Sequence, residues 1–331
     1  PVTGPVPLTP IQRWYFDQQP AEPAHFNHWM VLPTLHASLT PGRIEEVLTA
    51  LCDHHDLLRA RFKLQEGEWR QWLVDPGDTP PVARHDLSTT EVSFRQGTID
   101  RCTEEAQTSL NLSEGPIFRV LAFDCGPREP GRLVLILHHL VTDIISWQIL
   151  VQDFQSALQQ VGKGTKPSFP PKTTSFQEWA LQLSAYATSE TLAAEHSYWL
   201  DPVRSHVGRF PVDQGTQSQS RQSSFIRKLS LSREDTLRLI QNVPIDQGIT
   251  VQTVLVAALA LTMSRWSGLS RILIDLEGHG REELAGASIN LARTVGWFTS
   301  CYPAIIELEG MLDHPADALQ SVARQIAAIP N

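Results

Sequence analysis

The chain has 331 residues with 27 Lys and Arg against 36 Asp and Glu, and its formal net charge of −9 at pH 7 argues against nucleic acid as a ligand. With 41% hydrophobic and 19% charged residues it has a globular composition, neither disordered nor collagen-like, and its length predicts about two compact units. Cys52, Cys102, Cys125 and Cys301 are far apart with no CxxC pair, which excludes a zinc knuckle or a disulfide-dense secreted scaffold and predicts a reducing, cytoplasmic setting.

The chain opens Pro1-Val2-Thr3-Gly4-Pro5, without the basic and apolar segments of a secretory signal. Val31 and Leu32 predict a strand. Thr40 and Pro41 then supply an N-cap and first-turn proline for a helix over 44–54, with Ile44, Val47, Leu48 and Leu51 on one face. A strand is expected from Arg59, a helix over 99–110, and strands over 116–123 and 132–138 joined by a Gly/Pro turn, followed by a helix over 144–157.

Residues 161–174 have loop chemistry, 176–199 read as connecting helices, and 201–224 form a polar Gln/Ser-rich loop. A strand over 225–231, an N-cap at Ser232, an apolar helix over 250–266 and a strand over 271–276 follow. The apolar stretch 251–263 contains Gln252 and Thr253 and is shorter than the roughly 20 residues that span a bilayer, so it reads as a buried helix. Strand, capped helix and strand thus recur in both halves, predicting a weak duplication: two α/β lobes facing a cleft.

Three segments carry candidate chemistry. The first, His138-His139-Leu140-Val141-Thr142-Asp143, ends an apolar run; adjacent residues of a strand face opposite ways, so only one of the two histidines can serve a site. Asp143 can fix that imidazole, pair with an arginine or cap the following helix. The other two are Glu277-Gly278-His279-Gly280-Arg281-Glu282 and Arg293-Thr294-Val295-Gly296-Trp297-Phe298-Thr299. Taken singly, each is also compatible with a satisfied core histidine pair, a Gly-rich turn and core aromatics. A metal on His138, His139, Asp143 and His279 is disfavoured by the opposed histidines, and the absence of GxSxG removes an elbow-type serine hydrolase.

In order along the chain, Pro10-Ile11-Gln12-Arg13-Trp14-Tyr15-Phe16, the HHxxxD segment extended by Ser146-Trp147, the EGHGRE segment and the RTVGWFT segment resemble the epimerization domains of nonribosomal peptide synthetases. His25-Phe26-Asn27 and His54-His55-Asp56-Leu57-Leu58-Arg59 are shared with the wider condensation superfamily. The resemblance implies an α/β fold of mixed sheets: two chloramphenicol-acetyltransferase-like lobes forming a pseudo-dimer around a central cleft. The N-terminal lobe would span 1–174, connecting helices and loop 175–224, and a C-terminal lobe 225–331, expected to be truncated because the GxGYG and FNYLG-like segments do not occur. The family usually has Gly where this chain has Ile144, which is expected to stiffen the turn and crowd the tunnel floor.

The activity implied is cofactor-free L-to-D inversion at Cα of an aminoacyl or peptidyl thioester, tethered to the 4′-phosphopantetheine of an upstream peptidyl-carrier domain. Adenylation and downstream condensation domains would be neighbours, with no nucleic acid, membrane or metal. By the resemblance, His139 and Glu277 are the two acid–base groups. Asp143 pairs with Arg281, and His138, Ser146, Trp147, His279 and Trp297 support them. The start of the helix after Asp143 is one candidate donor to the enolate. The alternatives are a condensation domain joining two carrier-bound thioesters into an amide, and a non-catalytic docking member of the fold.

Overall fold

The computed structural model describes residues 1–34, 41–77, 79–80, 82–127, 129–212, 227–242, 248–282, 284 and 288–330. The chain packs as two compact units, one of residues 1–191 and 278–300, the other of 192–277 and 301–331.

The first unit contains β1 (Gly4–Val6), α1 (Pro10–Asp17), β2 (Asn27–Thr34), α2 (Pro41–His54), β3 (Ala60–Gln65), β4 (Glu68–Leu73), β5 (Val82–Asp86), α3 (Val92–Thr108), β6 (Phe118–Asp124), β7 (Gly131–His138), α4 (Ile144–Gly162) and α5 (Phe176–Tyr186). One sheet has the order β1-β4-β3, the other β2-β7-β6-β5. β5 and β6 are parallel and linked by α3, while β7 runs antiparallel to both its neighbours. The apolar run of β7 follows from burial on both faces, which removes the need for alternation. Leu133, Leu135 and Leu137 join the core with Ile44, Leu48 and Phe154 of α2 and α4, whereas Val134 and Ile136 meet Ile99, Cys102 and Ala106 of α3. This central strand carries the HHxxxD segment to its end, with His138 opposite Asn27 in register.

Ile44, Val47, Leu48 and Leu51 are all buried, as their helical spacing predicts; the expected Thr40 cap lies outside the described residues. α3 starts at Val92 rather than at 99, because its first turns expose Val92 and Phe94 and so show no apolar periodicity. Arg59 lies in a 3-10 turn (Asp56–Arg59) instead of a strand. Its buried guanidinium bonds the carbonyls of Val2, Cys52 and Val74.

The short α6 (Glu190–Ala193) contains the division between the units, and after α7 (His196–Trp199) come α8 (Arg233–Leu237), α9 (Val251–Ser267), β8 (Arg271–Gly278), β9 (Ser300–Glu307) and α10 (Pro315–Ala327). The predicted Ser232 cap forms, its hydroxyl accepting the Asp235 N–H, and Thr250 caps α9. The core of the second unit is Val256, Ala257 and Ala260 of α9 against Leu276, Ala304, Ile306, Ala318 and Val322. The strand predicted over 225–231 does not form where it is described: 225–226 lie outside the described residues, and 227–231 are irregular, with Leu229 and Leu231 exposed and no partner strand among the described residues. The strand, capped helix and strand recurrence therefore does not hold among the described residues.

Residues 278–300 leave the chain neighbourhood of β8 to pack in the first unit, held there by polar bonds to α4 and to the loop before α5.

Candidate active site

β7 stops at His138 and the chain turns through a 3-10 segment (His139–Val141) into α4. The two histidines separate as strand alternation requires. His138 is fully buried: Nε2–H donates to the Pro23 carbonyl at 2.9 Å and Nδ1 accepts the Leu140 N–H at 3.1 Å. Burial, opposed by the Pro23 bond and reinforced by neighbouring histidines, lowers its pKa to about 3, so it is a neutral structural group.

His139 is half-buried and faces a different environment. Its ring stacks on Phe26 (centroids 4.8 Å apart, 18° between planes) and lies 4.5 Å from Trp297 and 3.9 Å from His28. Nδ1 is 2.9 Å from the Thr142 carbonyl oxygen, which can only accept. The neutral ring therefore carries its proton on Nδ1, and Nε2 holds the basic lone pair.

Asp143 does not orient that imidazole. It caps α4, with Oδ1 accepting the Ser146 N–H at 2.7 Å, while Oδ2 accepts the Phe298 N–H at 3.2 Å. Arg281 Nη2 reaches both carboxylate oxygens at 3.2 Å, and side-chain exposures of 7% and 6% make this a buried ion pair. Arg281 Nη1 also donates to the carbonyls of Leu291 and Thr294, and its guanidinium lies 4.0 Å above the Phe298 ring. Ser146 completes the knot: its hydroxyl donates to Gly296 O at 2.8 Å and accepts Gly296 N–H and Arg281 Nη2, both at 3.0 Å. The Ser146 and Trp147 amides at the start of α4 are both taken by Asp143, so these two are not enolate donors.

Gly280 has φ +63°, and an added Cβ would come within 1.7 Å of the Phe298 carbonyl, so only glycine fits this close approach. At Gly296 an added Cβ would lie 2.4 Å from the Phe176 ring, which would have to shift to admit it. His279 is exposed and its Nδ1 accepts the Arg281 N–H, which shapes the turn. Trp147 and Trp297 are core residues of the first unit. Ile144 is 71% exposed and starts α4 without positive φ, so no glycine is needed at that position. Glu277 belongs to the second unit, where it is exposed at the end of β8 while Leu276 points into the core; its charge helps to raise the Cys301 pKa, after burial and Asp275.

A further polar cluster was not foreseen. Asp153 of α4 joins His55 (2.9 Å) and Arg293 (2.5 Å) through its two oxygens. Burial would raise the Asp153 pKa, but the bonds and charges of His55 and Arg293 outweigh it and hold the pKa below the usual carboxylate range. His54, His55 and Asp153 have ligand-type atoms within 4.8 Å of one another, yet both Asp153 oxygens are engaged and Arg293 already supplies the cation. Phe26 and His28 beside His139 were also missed, although their spacing of two would put them on one face of an extended chain.

The family profile described as Condensation domain matches residues 2–330. The chain belongs to the condensation-domain family. This condensation-family domain is 39% identical over 334 residues to one of the linear gramicidin synthase proteins of Brevibacillus parabrevis, covering all of this chain and 6% of that protein. It is 34% identical over 336 residues to surfactin synthase subunit 2 of Bacillus subtilis (strain 168), covering 100% of this chain and 9% of that protein. The domain thus spans less than a tenth of the length of either relative. Among solved structures, the epimerization domain from the third module of tyrocidine synthetase B matches with a TM-score of 0.92 at 29% identity, covering 99% of this chain and 74% of that one. The first condensation domain of the calcium-dependent antibiotic synthetase, bound to a substrate analogue, matches with a TM-score of 0.72 at 18% identity over 98% of this chain and 73% of that one, a likeness of fold. The α/β fold of mixed sheets is the chloramphenicol-acetyltransferase-like one expected from the sequence. No helix among the described residues is long and apolar enough to cross a membrane.

Proposed function

We propose that this condensation-family domain epimerizes the Cα of an aminoacyl or peptidyl thioester presented on the phosphopantetheine arm of a carrier domain in a nonribosomal peptide synthetase. The reading is carried by Ser146, whose hydroxyl ties together Gly296 and Arg281. These residues come from the Ser-Trp extension, the RTVGWFT segment and the EGHGRE segment, whose combination distinguishes the epimerization resemblance from the condensation one. The higher TM-score and identity to an epimerization domain than to a condensation domain support it.

In this mechanism Nε2 of His139 removes the Cα proton, and the C–H electron pair delocalises into the thioester as an enolate. Glu277 is the second acid–base group; it carries a proton while His139 is neutral and delivers it to the opposite face, and in the reverse direction the carboxylate removes the proton and the protonated His139 delivers one. Each such group contributes about 10²–10⁴-fold. Asp143, Arg281 and Ser146 hold the turns and touch no substrate, and no cofactor of the domain's own takes part.

The test is a cognate carrier loaded with an L-aminoacyl or peptidyl thioester in D₂O, followed by Cα deuterium and chirality. Exchange that falls by about 10²-fold or more in both His139→Ala and Glu277→Ala supports the proposal. Amide product on addition of an acceptor thioester, without Cα exchange, makes the domain a condensation catalyst; neither reaction with the intact synthetase module leaves a docking role.

A further inference from the structure

A histidine that takes a proton must have its cation stabilised, and in serine-protease-type sites a carboxylate on Nδ1 does so. Here Nδ1 donates to the Thr142 carbonyl, and the adjacent Asp143 is paired with Arg281. Rings stand around the imidazole. Phe26 is itself stacked on Tyr15 (4.8 Å, 13°), so Tyr15, Phe26 and His139 form a three-ring pile, with Trp297 and His28 against its sides. Tyr15 is pinned by its hydroxyl, which donates to the same Pro23 carbonyl that receives His138. Trp297 is 97% buried and packs in the core, so its indole cannot drift.

We propose that Phe26, His28 and Trp297 are positioning residues that fix the His139 ring and share its positive charge once it is protonated, through the negative faces of their π systems. The proposal rests on His139 being the base of the reading above. His28 belongs to this cage although it is itself an imidazole. Burial first, then the charge of His139, push its pKa down to about 4 against the opposing effect of Asp143, so near neutrality it is an uncharged ring. Other titratable or charged groups near His139 include His138 and Asp143 from its own turn and Arg281 on Asp143, while His25, from the segment before β2, acts on His138.

The test is a pH titration of selectively ¹³C-labelled histidines by NMR in the full chain, the His139 signal being assigned by its loss in His139→Gln. It is paired with the pH profile of Cα exchange on a loaded carrier. Phe26→Leu and Trp297→Leu should each lower the His139 midpoint by about half a unit to one unit and move the acid limb of the rate profile with it. Phe26→Tyr should restore both. His28→Phe keeps a ring and removes the neighbouring imidazole, so the midpoint should not fall. Leu variants that unfold with unchanged cooperativity yet leave the midpoint in place overturn the cage, as does failure of Phe26→Tyr to rescue. The NMR arm needs no turnover: a shifted midpoint in a protein that exchanges no Cα proton sinks the epimerase reading alone, and exchange with an unmoved midpoint sinks the cage alone.

Discussion

Replacing Asp143 by Asn removes one charge from a pair whose members are only 6–7% exposed and leaves the Arg281 guanidinium buried without its carboxylate. Breaking one side of such a pair costs about 3–5 kcal/mol, most of it the penalty of the stranded charge. The Asn side chain can still accept the Ser146 N–H, so the α4 cap survives, whereas Asp143→Ala loses the cap as well and should cost about 1 kcal/mol more. Arg281→Gln strands Asp143 in turn, although the Ser146 and Phe298 amides still donate to it. The Asp143→Asn/Arg281→Gln double variant strands no charge. It should therefore be hardly less stable than either single one, so the coupling equals about one single loss, roughly 3–5 kcal/mol. Urea unfolding followed by tryptophan fluorescence measures all four corners of this cycle, since Trp147 and Trp297 lie in the same core. Additivity within about 0.5 kcal/mol would refute the claim that the pair acts as one buried unit.

The pH dependence of stability should carry the signature of His138. Its pKa in the fold, about 3, is below the ordinary 6.5, so the unfolded chain binds the extra proton first; stability is full above pH 6.5 and declines as the pH falls towards 3. Over that window the loss approaches roughly 4–5 kcal/mol, and denaturant midpoints of His138→Gln against wild type between about pH 7 and 4 should show a shallower acid slope in the variant. Gly280→Ala should cost at least about 1–2 kcal/mol from its left-handed backbone alone, with the Phe298 carbonyl clash in addition; a thermal midpoint unchanged within a degree would contradict the geometry. Ser146→Ala strands the Gly296 N–H and C=O and should cost about 1–3 kcal/mol, read by urea unfolding, with a wild-type midpoint counting against the knot.

The parts legible in the sequence were those that a period or a motif encodes. Alternation along β7 showed that His138 and His139 face different ways, the spacing of Ile44, Val47, Leu48 and Leu51 gave α2, and Ser232 announced its helix. The resemblance supplied the Asp143–Arg281 pair, which no local pattern predicts because 138 residues separate its members. Asp153 went unread, and His55 and Arg293, although each stands in a motif, were not linked to it, for the same reason: only the fold gathers the three. The first turns of α3 and the irregular segment 227–231 misled the pattern in opposite ways, one exposing apolar side chains on a helix and the other exposing leucines on a chain with no strand beside it among the described residues.

Helix α4 holds the segment 278–300 at two points, Asp143 to Arg281 and Asp153 to Arg293, so each arginine has its counter-ion on the same rigid rod that follows the His139 turn. For anyone recombining condensation-family domains, that makes helix and segment a single heritable cassette. A chimera that takes one from each parent joins two halves of a lock cut for different keys. Exchanges with both boundaries outside residues 138–300 should tolerate more divergent parents than those cut between them.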